Sequence, residues 1–243
     1  MQVGLIGFGR LGSLFSKFLA QDSNLYVFNQ GQNHQEISQL GATPVEKIED
    51  LKDCKIIIPT VPISELKNVC EQLATFISKE SLVIDVCSVK EKPVEWMLES
   101  LPKEVSILGT HPMFGPDSAM NTLYGSKMVL TPVRIDDQSF ENISRYLETN
   151  GIKVIKASAE EHDKQIAHSL LLTHFIGRGL IDFGIKDLEI DTKGYRRLMK
   201  ILGTVENDSW QLFEDMNQFN PYAKEVRESF VTSLKNIIKR LEE

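Results

Sequence analysis

The chain has 243 residues, 42% of them hydrophobic, which is enough for one α/β unit and a smaller second domain, each with its own core. With 27 basic and 34 acidic side chains the net charge is −7, and no basic stripe offers itself to nucleic acid. No apolar run approaches the ~20 residues needed to cross a bilayer. No signal peptide is read ahead of the first strand, and Cys54, Cys70 and Cys87, odd in number and without metal-ligand spacing, point to a reducing cytoplasm and to no metal site.

Gln2 to Ile6 reads as a buried strand that runs into Gly7-Phe8-Gly9-Arg10-Leu11-Gly12. Beyond it Leu11, Leu14, Phe15, Phe18 and Leu19 recur at helical spacing, so a helix is expected to about Asp22. A G-x-G-x-x-G between an apolar strand and an amphipathic helix is the dinucleotide fingerprint: Gly7 for the tight turn, Gly9 for close approach of a pyrophosphate to the helix N-terminus, Gly12 for helix-to-strand packing. A second strand, Asn24 to Phe28, ends at Asn29-Gln30, where an NAD enzyme usually carries an acid for the ribose 2′-hydroxyl. Asn29 can bond a hydroxyl without repelling a 2′-phosphate, yet no Lys or Arg lies between Lys17 and Lys47, which leaves Arg10 as the nearby cation. NAD and NADP both stay open, the missing acid leaning to NADP.

A strand at Lys55 to Ile58 leads to Thr60 and Val61, expected over a nicotinamide ribose, and strands at Leu82 to Val86, Val105 to Leu108 and Met128 to Val133 follow. Strands alternating with helices at this spacing predict a Rossmann-type doubly wound, mostly parallel sheet, with ligands beyond the carboxyl ends of its strands. Gly7, Val61, Ser88 and His111 would share that rim. His111 is read as a stiffly held loop histidine, set among Gly109, Pro112, Gly115 and Pro116 and aimed outward. Ser88 taken alone is equally a turn hydroxyl.

After a helix over 136–150 and a strand at Lys153 to Ala157 the alternation stops. The dinucleotide-binding domain is therefore expected over 1–158 and an all-α domain over 159–243. The latter opens with a long apolar helix to about Phe183 and closes with a helix striped by Val226, Phe230, Leu234, Ile237 and Leu241, continuing past shorter helices near 194–202 and 209–218. An apolar helix of this kind is buried either between two subunits, making a homodimer, or within its own bundle. His174 and Arg178, at i and i+4, share a face, with His168 nearly opposite; Asp191-Thr192-Lys193-Gly194-Tyr195 is a turn suited to a carboxylate, or a solvated loop.

Taken together, Asp85-Val86-Cys87-Ser88-Val89-Lys90, Thr110-His111-Pro112-Met113-Phe114-Gly115-Pro116, Glu161-His162-Asp163, Thr173-His174 and Thr192-Lys193-Gly194-Tyr195 resemble the prephenate/arogenate dehydrogenases of tyrosine biosynthesis, the plant-type arogenate branch above all. The resemblance implies oxidative decarboxylation of a small cyclohexadienyl carboxylate with hydride transfer to NAD or NADP. It implies His111 as catalytic histidine, Ser88 as its hydrogen-bonding partner, and His174, Thr192 and Lys193 as substrate contacts; Arg178 joins them on helical geometry. Leu170 stands where plant-type relatives carry a glutamine, and Glu206 or Asp208 could meet a substrate ammonium. Two rivals are weighed. A β-hydroxyacid dehydrogenase would carry G-x-x-x-K-x-x-N on the long helix, a pattern missing from Ala159 to Phe183, and an NADP-binding sensor would lack the polar rim of Ser88, His111 and Lys193.

Overall fold

A computed structural model describes residues 1–119 and 121–243. The chain divides into two compact units, Met1–His162 and Asp163–Glu243, with the division inside a helix that begins at Ala159. No helix of the described residues is long and apolar enough to cross a membrane.

The first unit is built on eight strands: β1 (Gln2–Ile6), β2 (Asn24–Phe28), β3 (Thr43–Val45), β4 (Ile56–Pro59), β5 (Leu82–Asp85), β6 (Ser106–Pro112), β7 (Lys127–Arg134) and β8 (Lys153–Lys156). They lie in the order β3-β2-β1-β4-β5-β6-β7-β8. Every pairing is parallel except β6 with β7. The first six strands thus have the 3-2-1-4-5-6 order of a dinucleotide fold, whose switch point lies between β1 and β4. Strands covered on both faces read as unbroken apolar runs, Ile56-Ile57-Ile58 and Leu82-Val83-Ile84, with no alternation. Leu5, Val27, Ile57, Val83 and Leu130 are fully enclosed, and burying each such side chain contributes ~1.5–3 kcal/mol.

Helices α1 (Arg10–Asp22), α2 (His34–Gln39), α3 (Leu66–Leu73), α4 (Glu91–Ser100), α5 (Pro116–Ala119) and α6 (Asp137–Thr149) connect the strands. α6 starts where Asp136 accepts from the Ser139 amide, and Gly151, at φ +78, turns the chain into β8. β3 escapes a sequence reading because a three-residue edge strand centred on Pro44 has too little pattern to detect.

His111 is not in a loop. β6 continues beyond the apolar run through Gly109, Thr110, His111 and Pro112, because β7 runs antiparallel beside it and pairs Val129 with His111 and Met128 with Pro112. Strand pairing, and not proline stiffness, holds the histidine.

In the second stretch α7 (Ala159–Ile166), a π-helical segment (Ala167–Leu171) and α8 (Leu172–Phe183) follow one another, and α8 is closed by Gly184 at φ +78. α9 (Lys193–Met199) and α10 (Leu202–Val205) replace the single helix expected near 194–202, and α11 (Trp210–Phe219) and α12 (Ala223–Glu242) complete the unit. Gly177 lets α8 approach α10: a Cβ there would lie 2.7 Å from Val205.

Candidate active site

The turn between β1 and α1 is built for an anion. Gly7 has φ +100, and a Cβ on Gly12 would stand 2.3 Å from the Gly7 carbonyl, so only glycine closes the turn. Around Gly9 nothing lies within 4 Å of where a Cβ would be, and Gly9 caps α1 without a side-chain bond and with no acid in the first turn. The helix amides are therefore left for a phosphate, which the positive helix end favours. Phe8 and Leu11 are half-buried and pack on the core.

Thr60, expected over a ribose, braces the glycine turn: its hydroxyl lies 2.8 Å from the Gly7 carbonyl and 3.1 Å from that of Ile6. Val61 beside it is half-buried. Asn29 is likewise engaged within the protein, accepting from the Phe8 amide at 3.2 Å and donating to Asn33 Oδ1 at 2.8 Å. Beyond it opens a cavity of about 680 Å³ lined by Asn29, Gln30, Gly31, His34 and Glu46 among others, with no lysine or arginine in its lining. Arg10, the cation expected to serve here, pairs with Asp117 of α5 at 2.5 Å.

Along the rim, His111 is 6% exposed. Its Nδ1 lies 2.8 Å from Nε2 of His162, the rings meeting edge to face with centroids 5.0 Å apart. Burial first, then His162 and Lys90, hold the His111 imidazole well below its ordinary range, so it is neutral at pH 7. Ser88, expected to bond His111, is half-buried and forms no hydrogen bond with it. His162 comes from α7, whose phase is set by a capping box: the Glu161 amide donates to Ser158 Oγ at 3.1 Å and Glu161 Oε2 accepts from the Ser158 amide at 3.1 Å. That S-x-x-E signal was available in the sequence; the distance from His162 to His111 was not.

A second support lies beneath. Asp85 and Lys90, both with fully buried side chains, form an ion pair. Asp85 also accepts from the Cys87 amide at 2.9 Å and the Thr110 amide at 3.3 Å, while Thr110 Oγ1 donates to the Asp85 carbonyl at 2.6 Å. The end of β5 is thereby tied to the residue before His111. Removing one partner of such a buried pair costs ~3–5 kcal/mol.

In the helical unit, Asp208 joins two of the expected contacts. His174 Nε2 is 3.6 Å from Asp208 Oδ2, and an Arg178 NH group donates to the Asp208 carbonyl at 2.5 Å while the guanidinium lies over Trp210 at 5.1 Å. His174 Nδ1 and Arg178 Nε are buried with no hydrogen-bond partner among the described residues, polar atoms that a ligand could satisfy. Burial, with Arg178, lowers the His174 pKa against the opposing pull of Asp208. Thr192 and Lys193 stand apart from this cluster in kind: Thr192 caps α9 by accepting from the Tyr195 amide at 3.2 Å, and Lys193 is exposed. His168 is exposed, as its helical phase requires, and Leu170 is half-buried in the π segment.

A family model described as prephenate dehydrogenase, nucleotide-binding domain, matches residues 23–156. The chain belongs to the prephenate/arogenate dehydrogenase family. A second model, TYRAAT1-like, C-terminal domain, matches 180–243. Among similar proteins, arogenate dehydrogenase 1 of Arabidopsis thaliana is 31% identical over 98% of this chain and 38% of its own length. Arogenate dehydrogenase 2 of the same plant is 30% identical over 99% of this chain and 70% of its own. The chain thus spans little more than a third of the former's length. The prephenate dehydrogenase of Aquifex aeolicus, solved with hydroxyphenyl propionate and NAD+, shares the fold at TM-score 0.80 and 22% identity over 100% of this chain and 92% of that one. Neither the β-hydroxyacid reading nor the sensor is supported by these matches.

Proposed function

We propose that this family member oxidatively decarboxylates arogenate to tyrosine, or prephenate to 4-hydroxyphenylpyruvate, with His111 as proton acceptor. The observation that carries the reading is a buried imidazole at the carboxyl end of β6, in the same sheet whose β1 opens into a turn built to hold a dinucleotide. Gly7, Gly9 and Gly12 shape the pyrophosphate seat, with Phe8, Arg10, Leu11, Asn29, Gln30, Thr60 and Val61 around it. A bound nicotinamide supplies the hydride acceptor. His111 takes the proton of the ring hydroxyl, the ring carboxylate leaves as CO₂, and the ring becomes aromatic. Ser88, unbonded to His111, orients the substrate hydroxyl. Lys193 and Arg178 meet the substrate's carboxylates, with His174 and Thr192 as further polar contacts.

Asp208 tilts the reading to arogenate: its carboxylate, beside His174, suits the side-chain ammonium that arogenate carries and prephenate lacks. For the cofactor, the absent acid at Asn29 leans to NADP, but a cavity containing Glu46 and no cation favours NAD, and the cavity is the stronger argument. The three buried free cysteines fit a reducing compartment, the cytoplasm. A homodimer through the last helices accounts for the apolar stripe of α12 described below.

The test is His111→Ala, with turnover measured on both substrates and both cofactors. Turnover should fall ~10² to 10⁴-fold with cofactor affinity nearly unchanged. Near-normal turnover would remove His111 from the chemistry.

A further inference from the structure

The His111–His162 contact has two possible arrangements, and they are chemically different. If His162 Nε2–H donates to His111 Nδ1, then neutral His111 carries its proton on Nε2 and has no lone pair there to act as a base. If His111 Nδ1–H donates to His162 Nε2, the His111 Nε2 lone pair is bare.

We propose that His162 is the positioning residue for His111: its Nε2 accepts the His111 Nδ1–H, which fixes the ring orientation and the tautomer with Nε2 as the proton acceptor. The proposal rests on the reading of His111 as the base. The 2.8 Å separation and the burial of both rings, at 6% and 3% exposure, exclude water as a competing partner for Nδ1. Ser88 does not compete for it either, since it forms no hydrogen bond with the ring. His111 is pinned by strand pairing to Val129, and His162 by the capping box of α7, so the two rings meet with little freedom to lose.

The proton balance follows from the geometry. When Nε2 gains the substrate proton, His111 becomes an imidazolium whose Nδ1–H remains on His162 Nε2. The charge can stay on His111 or the Nδ1 proton can pass to His162, leaving His111 neutral with Nε2–H. In both cases one proton is held by the pair, and no electrons move between the rings. Lys90, paired with Asp85, is the charged group facing His111 from the β5 end, and it opposes a second positive charge on the pair.

The experiment uses the full chain and three readouts. Long-range ¹⁵N NMR of the histidine rings reports the tautomer, and His162→Gln and His162→Leu are compared by kcat, KM and the pH profile. Glutamine places an amide oxygen near the former Nε2, so it keeps an acceptor, and leucine does not. The expected result is His111 in the Nδ1–H form in the native chain, a ~10 to 10²-fold loss of kcat in His162→Leu at similar KM, and recovery of most of it in His162→Gln. Glutamine keeps an acceptor for the Nδ1–H that steadies the imidazolium, so its acid limb should stay near the native one, whereas that of the leucine variant should move to lower pH. His111 found with its proton on Nε2 would overturn the proposal, as would equal kcat in the leucine variant and the native chain. Should His162→Leu fail to fold, the native tautomer and the glutamine profile still decide the matter. An unimpaired His111→Ala would overturn the base assignment while leaving the NMR result for the pair intact, so the two failures can be told apart.

Discussion

At the scale of single residues, burial sets the chemistry. His111 and His174 are both kept neutral mainly by desolvation, so in the folded protein each resists a proton that it would take up in the unfolded chain. Their folded pKa values lie below the ordinary 6.5, so the unfolded state binds more protons as pH falls through that value. The contribution of these histidines to stability is complete above about pH 6.5 and is lost progressively below it. The melting temperature should therefore fall between pH 7 and pH 5, with proton uptake on unfolding, and His111→Gln should weaken that dependence. A melting temperature that is flat over this interval in the native chain would contradict it. Burial acts the same way on the thiols, pushing Cys54 up to about 11 and Cys70 up to about 12, which suits a packing role.

At the scale of elements, side chains that look like ligands in the sequence are often holding elements together. Thr60 braces the glycine turn from β4, Asn29 joins the same turn to the loop before α2, and Arg10 reaches from α1 to Asp117 on α5. The last pair engages Arg10, the cation of the glycine turn that the sequence offers to a 2′-phosphate. Asp117→Asn should weaken the hold on Arg10 and lower the KM for NADP by ~3 to 10-fold while leaving that for NAD unchanged, given the ~1 kcal/mol scale of exposed ion pairs. Equal changes for both cofactors would show that Arg10 does not face the ribose. The π segment ahead of α8 is a second example: it inserts one irregular turn just before His174, a local feature with no signature in apolar periodicity.

At the scale of the whole molecule, α12 has an incomplete set of partners. Val226 is buried, but Leu234, Ile237, Ile238 and Leu241 are 45%, 53%, 56% and 82% exposed. These positions extend the same helical stripe, and a face of this kind is covered in a stable assembly. The homodimer proposed above predicts that Leu234→Glu with Ile237→Glu shifts the mass measured by light scattering from dimer to monomer without a change in helix content. A native chain that is monomeric at micromolar concentration would refute it.

Apart from the short edge strand β3 and the split of α9 from α10, the order of strands and helices, the glycine turn and the string around His111 were readable from the sequence because each is local: apolar runs, helical periodicity and φ > 0 positions are written over a few adjacent residues. The change from an alternating unit to an all-helical one near residue 160 was readable for the same reason. What the sequence could not show depends on residues far apart meeting in space. The antiparallel placement of β7 draws His111 into a strand, His162 and not Ser88 meets its Nδ1, and Asp208 arrives beside His174 and Arg178. Composition and spacing determine which groups are available. Sheet order and helix packing decide which of them are desolvated together, and desolvation is what holds a buried histidine neutral.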